Sequence, residues 1–471
     1  MTRPLKSVHI TNYYHKNSGG ISTSLNNLLA AAGRHKRPVR LIVPGEEEAV
    51  EEVNDFAKIY YIPAKRSPVF DKRYRVMMPW QYMQAGSLIR RILLDEKPDI
   101  IEVTDKYTLS MIGPMIRTNN FKKLGRPMLV HFSCERMDDN VGSFLTRGAF
   151  GKWLARRVIG NYTIPSFDFH IANSTYTAQE FFDAVSDAKN PHRSRFLFET
   201  CWNLLRSPGV PVEERVFVCP RGVDANMYSP ERGSDEVKRE MRHLANATGD
   251  SILLLYAGRV SPEKNVRLLV DLMRILATEP EDFRLLVAGD GPQRDWLKNQ
   301  CEKAAPGKLV LLGHLDKEKL ANFYANADIF IHPNPREPFG IAPLEAMASG
   351  VPTVAPNAGG ILSYATNENA WLVEPDAEEF ARAIREIVND PVLRNSKVEK
   401  AVTTARINSR EASTDRLLST YDTMFEDFVT RNGSYIGVEK PKGFNYWQLL
   451  KVIIVIGIFS VLEYLDIFDK I

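Results

Sequence analysis

Short apolar runs alternate with longer amphipathic stretches along most of this chain, and that rhythm sets the expected architecture. In the first half, residues 7–11 (SVHIT) and 39–43 (VRLIV) read as strands, with a helix from residue 21 to about residue 32 between them. Apolar runs bounded by turns recur at residues 100–103, 128–132, 169–172 and 216–219. Such runs, separated by segments of helical period, predict a parallel sheet covered by helices on both faces. Residues 190–211, around FLFETCWNLL, break the rhythm and read as an insertion. The alternation then restarts with ILLLYAG (252–258), RLLVAGDG (284–291), LVLLG (309–313) and DIFIHP (328–333), and helices from about residue 376 to residue 428 close it.

The expected fold is therefore α/β: two doubly wound Rossmann-like domains facing each other across a cleft. They would occupy residues 1–225 and 226–430, joined near RGVDANMYSP (221–230), with the last helices packing back on the first domain. Residues 431–471 form a polar linker and an apolar tail. Within the tail, residues 446–464 (YWQLLKVIIVIGIFSVLEY) are apolar on every side. The charge-free stretch 452–462 is shorter than the about 20 residues that cross a bilayer. Lys451 and Glu463 flank it, and Trp447 and Tyr464 stand where interfacial aromatics would. A C-terminal apolar helix attached to a membrane is expected; a buried helix is the alternative.

Composition narrows the function. The chain is 44% hydrophobic and 25% charged over 471 residues, which suits packed cores and two domains. A formal net charge of +3 supplies no broad basic field, so a nucleic-acid partner is not expected. Cys134, Cys201, Cys219 and Cys301 lie far apart, without metal-ligand spacing, and read as thiols in a reducing compartment. The first thirty residues lack an apolar core with a cleavage site, so a cytoplasmic location is expected.

The chemistry gathers in the loops after the strands. Gly19 and Gly20 precede a helix, where glycine lets backbone N–H groups approach an anion; the same turn is common for steric reasons alone. After the strand at 252–258 comes GRVSPEKN, in which Arg259 and Lys264 suit a diphosphate, although a solvated basic turn would look alike. AGDGP at 288–292 is a further glycine turn. The stretch NPREPFGIAPLEAMASGVPTVAPNAGG then opens a short helix at Gly340 without a serine or aspartate cap. A phosphate seated on the N–H groups near Ile341 and Ala342 would supply that cap, and Pro343 in the first turn costs nothing. Glu345, one turn into the helix, is placed for a ribose hydroxyl, and Glu337 precedes the helix where a sugar would lie.

These motifs in this order resemble the retaining nucleotide-sugar glycosyltransferases of family four, which have the glycosyltransferase B fold. The resemblance spans about residues 5–425. It is carried by SGGIS, ANSTYTAQEFF (172–182), PRGVDANMYSP, AGRVSPEKN, VAGDGP, the element EPFGIAPLE and its sequel ASGVPTVAPNAGG. It implies that Arg259 and Lys264 bind the donor diphosphate, helped by Gly19, Gly20, Phe339, Gly340 and Ile341. Glu345 would hold the ribose and Glu337 the transferred sugar, with base contacts near Gly291 and residues 313–315. It also implies that His131, at the end of PMLVHFS, faces the donor sugar, and that Asn173 and Ser174 shape the acceptor side. No carboxylate among Glu102, Asp105, Glu135, Asp138 and Asp139 stands out as a nucleophile. Front-face transfer is therefore expected, with the leaving diphosphate taking the acceptor proton.

No D-x-D motif is evident, so no metal and no cofactor are expected beyond the nucleotide-sugar co-substrate. Residues 65–83 (KRSPVFDKRYRVMMPWQYM) interleave cations with Met and aromatics, as surfaces that meet anionic lipid do, or as an ordinary loop into a core helix does. With the apolar tail, this favours a lipid-linked or membrane-borne acceptor at the cytoplasmic face of a membrane. A soluble acceptor or a catalytically silent nucleotide-sugar-binding scaffold are the alternatives. Nothing in the motifs selects among uridine, guanosine and adenosine donors.

Overall fold

The computed structural model describes residues 3–14, 20–66, 75–121, 123–144, 149–189, 192–432 and residue 454. Gly19, residues 67–74 of the basic and aromatic segment, and all of 446–464 except residue 454 lie outside the described residues. The chain divides into two compact units, residues 1–219 with 414–471, and residues 220–413. The first junction therefore falls between Cys219 and Pro220, ahead of the expected 225/226. The second unit ends at Ser413 where residue 430 was expected.

The first unit is built on an eight-stranded sheet. Its strands are β1 (Ser7–Ile10), β2 (Val39–Gly45), β3 (Ala49–Asn54), β4 (Ala57–Pro63), β7 (Ile100–Val103), β8 (Met128–Ser133), β9 (Phe169–Ala172) and β10 (Val216–Val218). A separate hairpin pairs β5 (Lys65–Arg66) with β6 (Arg75–Val76). The sheet order is β10-β9-β8-β7-β1-β2-β4-β3, parallel except where β3 runs antiparallel at the edge. β3 and β4 were not expected; AVEEVN of β3 is a polar edge strand with Val50 and Val53 exposed, so it carries no buried stripe. The central strands are buried on both faces and read as continuous apolar runs.

Two segments differ from expectation for packing reasons. Residues 190–211 are not an interruption: they contain the helix His192–Leu204, whose Leu197 and Cys201 join the core with Leu93 and Phe167. The last helix, Arg410–Asn432, begins in the second unit and from Thr414 belongs to the first. Leu418, Tyr421, Met424 and Phe428 recur at helical spacing and are buried with Val39, Leu41 and Val130. The Tyr421 hydroxyl donates to the buried Glu102 carboxylate, and Arg37 donates to Asp422 at 2.8 Å.

The second unit holds a six-stranded parallel sheet of β11 (Ile252–Ala257), β12 (Phe283–Ala288), β13 (Leu309–Gly313), β14 (Ile329–Ile331), β15 (Thr353–Pro356) and β16 (Trp371–Val373). Its order is β13-β12-β11-β14-β15-β16. Numbered within the unit this is the 3-2-1-4-5-6 Rossmann order, and the direction of winding reverses between β11 and β14. Alternate residues divide between two cores: Leu253, Leu255, Leu286 and Phe330 lie in one, Leu254, Tyr256, Leu285 and Val287 in the other. β15 and β16 were not expected, since TVAP and WLV are too short to show a period.

The four cysteines form no disulfide among the described residues, with Cys134 half-buried and the other three buried. Among the described residues no helix is long and apolar enough to cross a membrane.

Candidate active site

The reversal between β11 and β14 places two loops side by side at the carboxyl ends of adjacent strands, where open α/β sheets take their ligands. The loop after β11 carries Arg259, whose side chain is exposed and makes no ion pair among the described residues. The Tyr256 hydroxyl donates to the Arg259 carbonyl at 2.8 Å. Lys264 ends the short turn Pro262–Lys264, and Asn265 follows in the left-handed conformation at φ 54°. The Asn265 amide donates to the Pro333 carbonyl at 3.0 Å, which ties this loop to the one after β14.

Across that tie, Lys264 Nζ donates to Glu337 Oε2 at 2.7 Å, and Asn334 Nδ2 reaches the same oxygen at 3.0 Å. His332 Nε2 stands 3.8 Å away. Burial opposes charge on Glu337, but Lys264 and His332 outweigh it and hold the carboxyl at about 2. Burial also pushes His332 down to about 4. At neutral pH the loop thus presents a carboxylate already matched by an ammonium.

Beside it the helix Ile341–Ala348 opens at Gly340, with φ 87° and no side-chain cap. The Tyr364 hydroxyl donates to the Gly340 carbonyl, and a Cβ at residue 340 would come within 2.8 Å of that hydroxyl oxygen. The first-turn N–H groups at Ile341 and Ala342 have no intrahelical acceptor and face outward from a positive helix end. Phe339 is 3% exposed and packs against Tyr364, so its ring is core and only its backbone lines the helix mouth. Glu345 is half-buried one turn in, with the Tyr324 hydroxyl 3.3 Å from Oε2. Burial pushes the Glu345 carboxyl up to about 7, against the pull of its hydrogen bonds with Tyr228 and Tyr324.

Gly291 has a packing reason of its own. A Cβ there would lie 2.2 Å from the Val260 carbonyl oxygen, because the loop after β12 rests directly on the loop after β11. Val260 N–H donates to Asp290, and Gln293 N–H to Val260, both at 3.0 Å. The glycine turn thereby braces the strand end that carries Arg259.

In the first unit three expectations change. His131 is 0% exposed, its ring set among Phe167, His170 and Phe181, and Nδ1 lies 3.4 Å from His170 Nδ1. Burial holds it well below the usual histidine range, so it is a neutral interior residue. Asn173 is 4% exposed; its amide donates to the Cys134 carbonyl at 3.1 Å and its Oδ1 accepts from Thr177. Ser174 caps the helix Thr175–Lys189 by accepting from Thr177 N–H at 3.1 Å. Both side chains are buried and bonded within the first unit. Gly20 starts the helix Gly20–Arg34 and is exposed.

The structure adds residues the sequence reading passed over. Asn265, His332, Asn334, Tyr228, Tyr324 and Tyr364 brace the loops and the two glutamates. Asn334 had a signal, since it opens the quoted motif and its Oδ1 accepts from Arg336 N–H in a turn. Among the described residues no group of His, Cys, Asp and Glu is placed to hold a metal ion.

Comparison with known proteins agrees with this arrangement. The profile described as "Glycosyl transferases group 1" matches residues 237–404, and "Glycosyl transferase 4-like domain" matches residues 19–192. The chain is 28% identical over 392 residues to a GDP-mannose-dependent alpha-(1-6)-phosphatidylinositol dimannoside mannosyltransferase of Mycobacterium tuberculosis, covering 82% of this chain and 88% of that protein. It is 24% identical to a GDP-mannose-dependent alpha-mannosyltransferase of Corynebacterium glutamicum over 76% of this chain and 74% of that one. A sucrose-phosphate synthase from Thermosynechococcus elongatus shares the fold with a TM-score of 0.65 at 18% identity, over 90% of this chain and all of that one. Two Rossmann-like sheets, a basic loop meeting an uncapped helix at the second sheet's switch point, and matches in both halves lead to one conclusion: the chain belongs to family four of the glycosyltransferases, enzymes of the glycosyltransferase B fold.

Proposed function

We propose that the chain moves a sugar, with retention of anomeric configuration, from a nucleoside-diphosphate sugar to a hydroxyl of a membrane-borne, lipid-linked glycan. The observation that carries the donor side is the 2.7 Å Lys264–Glu337 pair beside the open N–H groups of the helix Ile341–Ala348. An ammonium, an exposed guanidinium at Arg259 and a helix N-terminus suit a pyrophosphate, and they oppose the charge that grows on it as the glycosidic bond breaks. Glu337 would meet the sugar and Glu345 the ribose. The diphosphate takes the acceptor proton on the same face, which retains configuration without a covalent intermediate. Two cations fill the role a divalent ion would have, so the reaction is metal-independent in this reading.

The names of the two relatives make GDP-mannose the first donor to test and a mannosylated phosphatidylinositol the first acceptor. The tail at 446–464, with the cations and aromatics of 65–83, would hold the enzyme at the cytoplasmic face of that membrane. The test is a panel of UDP-, GDP- and ADP-sugars offered with vesicles of phosphatidylinositol dimannoside, with the anomeric linkage of the product read by NMR. An α-product from an α-donor, formed in excess chelator, is the expected result. An inverted product, or turnover abolished by chelator and restored by magnesium, overturns the mechanism.

A further inference from the structure

His332 stands apart from its neighbours in the loop after β14. It is 4% exposed, and its Nε2 makes no hydrogen bond among the described residues. The groups around it are tied. The Pro333 carbonyl accepts from the Asn265 amide at 3.0 Å, and Asn334 bonds both to Glu337 Oε2 and to Arg336 N–H, each at 3.0 Å. A buried ring nitrogen without a partner carries a cost that leucine or phenylalanine would avoid at the same place. His332 also lies outside every motif that carries the family resemblance.

The ring cannot move to relieve that cost. The His332 N–H donates to the Val354 carbonyl at 2.9 Å, which extends the pairing of β14 with β15. The tie at Pro333 fixes the chain on the other side. Nε2 is left 3.8 Å from Glu337 Oε2, too far for a hydrogen bond. The carboxylate has no need to close the gap, because Lys264 at 2.7 Å already meets its charge. Burial, against the pull of Glu337, holds His332 at about 4, so the ring is neutral at pH 7.

A single oxygen beside two atoms at that separation can lie at hydrogen-bond distance from both. It would have to accept from a neutral imidazole N–H and donate to a carboxylate at once. A hydroxyl does both, whereas carbonyl, ether and phosphate oxygens only accept. An anionic group would in addition meet the Glu337 charge.

We propose that His332 Nε2 and Glu337 together grip one hydroxyl of the transferred sugar, the histidine donating to its oxygen and the carboxylate accepting its hydrogen bond. His332 is then a specificity-determining residue, which selects the sugar by the presence of that hydroxyl. This deepens, and rests on, the donor reading above.

The test is calorimetry on the full chain with the nucleotide sugar that the panel above selects, GDP-mannose first, and with its forms lacking one sugar hydroxyl each. In the wild type one deoxy form is expected to bind about 10- to 100-fold more weakly than the parent, the loss of hydrogen bonding to a charged group. In His332→Phe that preference is expected to vanish, while the ratios for the other hydroxyls persist. A defect in folding lowers parent and deoxy forms together and leaves the ratios alone. His332→Gln, whose amide N–H can replace the ring donor, is expected to restore part of the preference. Nitrogen NMR of the wild type is expected to show the Nε2–H tautomer of His332 fixed by the parent and not by that deoxy form. Equal binding of every deoxy form, which a bridging water would give, or a preference that survives in His332→Phe, would overturn the assignment. Both outcomes leave the donor reading standing, whereas a chain that binds no nucleotide sugar fails that reading and takes this inference with it.

Discussion

Lys264 and Glu337 hold each other at 2.7 Å, so removing either leaves the other half-buried without its partner. Lys264→Ala is expected to lower kcat by about 10² to 10³, the cost of losing one preorganised stabiliser of developing charge. Steady-state kinetics at saturating donor check this, and wild-type kcat would remove Lys264 from the mechanism. The two site glutamates titrate in opposite senses. Glu337 is held at about 2, below its unfolded value, so its stabilising contribution is present above about 4.3 and is lost as pH falls toward 2. Glu345 is raised to about 7, so its contribution is complete below about 4.3 and fades as pH rises through 7. A charged carboxylate accepts a ribose hydroxyl better than a neutral one. GDP affinity is therefore expected to increase from pH 6 to pH 8 in the wild type and to stay flat in Glu345→Gln, with calorimetry at each pH as the check. His131 shows what sequence position could not tell. It lies on a strand whose residues are all buried, so standing near the strand end did not bring it to the surface.

The helix Ile341–Ala348 was legible as an uncapped element, because a glycine start, an early proline and a glycine–proline stop are local signals. What braces its mouth was not legible, since Tyr364 arrives from a later turn and Asn265 from the loop after β11. Gly340→Ala forces a side chain into φ 87°, a strain of about 1–2 kcal/mol. It also places a methyl 2.8 Å from the Tyr364 hydroxyl oxygen. A lower Tm and loss of the thermal shift given by GDP are the expected outcomes of differential scanning fluorimetry. A full GDP shift in that variant would mean that the helix mouth does not hold the phosphate. The edge strand β3 and the helix His192–Leu204 mark the opposite case. The first has too little buried surface to show a period, and the apolar residues of the second are shared between two cores.

The chain as a whole leaves the first unit after Cys219 and returns to it at Thr414. Leu418, Tyr421, Met424 and Phe428 then cover one face of the first core. Deleting residues 414–471 is expected to expose that face and give insoluble protein, whereas deleting residues 433–471 leaves every described core contact in place. The shorter deletion is expected to keep GDP binding and lose vesicle sedimentation, which separates the membrane role proposed for the tail from the fold. Tyr421→Phe deprives the buried Glu102 of a donor, and about 1–3 kcal/mol of stability is expected to go with it in denaturant titration.

Signals that lie within a few residues of one another were enough to read two α/β halves, most of their central strands, and the loops that carry Arg259, Lys264, Glu337, Gly340 and Glu345. Period, glycine and proline act on the local backbone, so they can be read before any folding is known. Partnership works across distance. Lys264 meets Glu337 from 73 residues away and Glu102 meets Tyr421 from 319 away, and nothing local announces either pairing. Which histidine is interior, and which asparagine is tied to the carbonyl of a neighbouring loop, depend on neighbours supplied by other elements. Burial and ion pairing are properties of the packed chain, so those answers appear only once the sheets have formed.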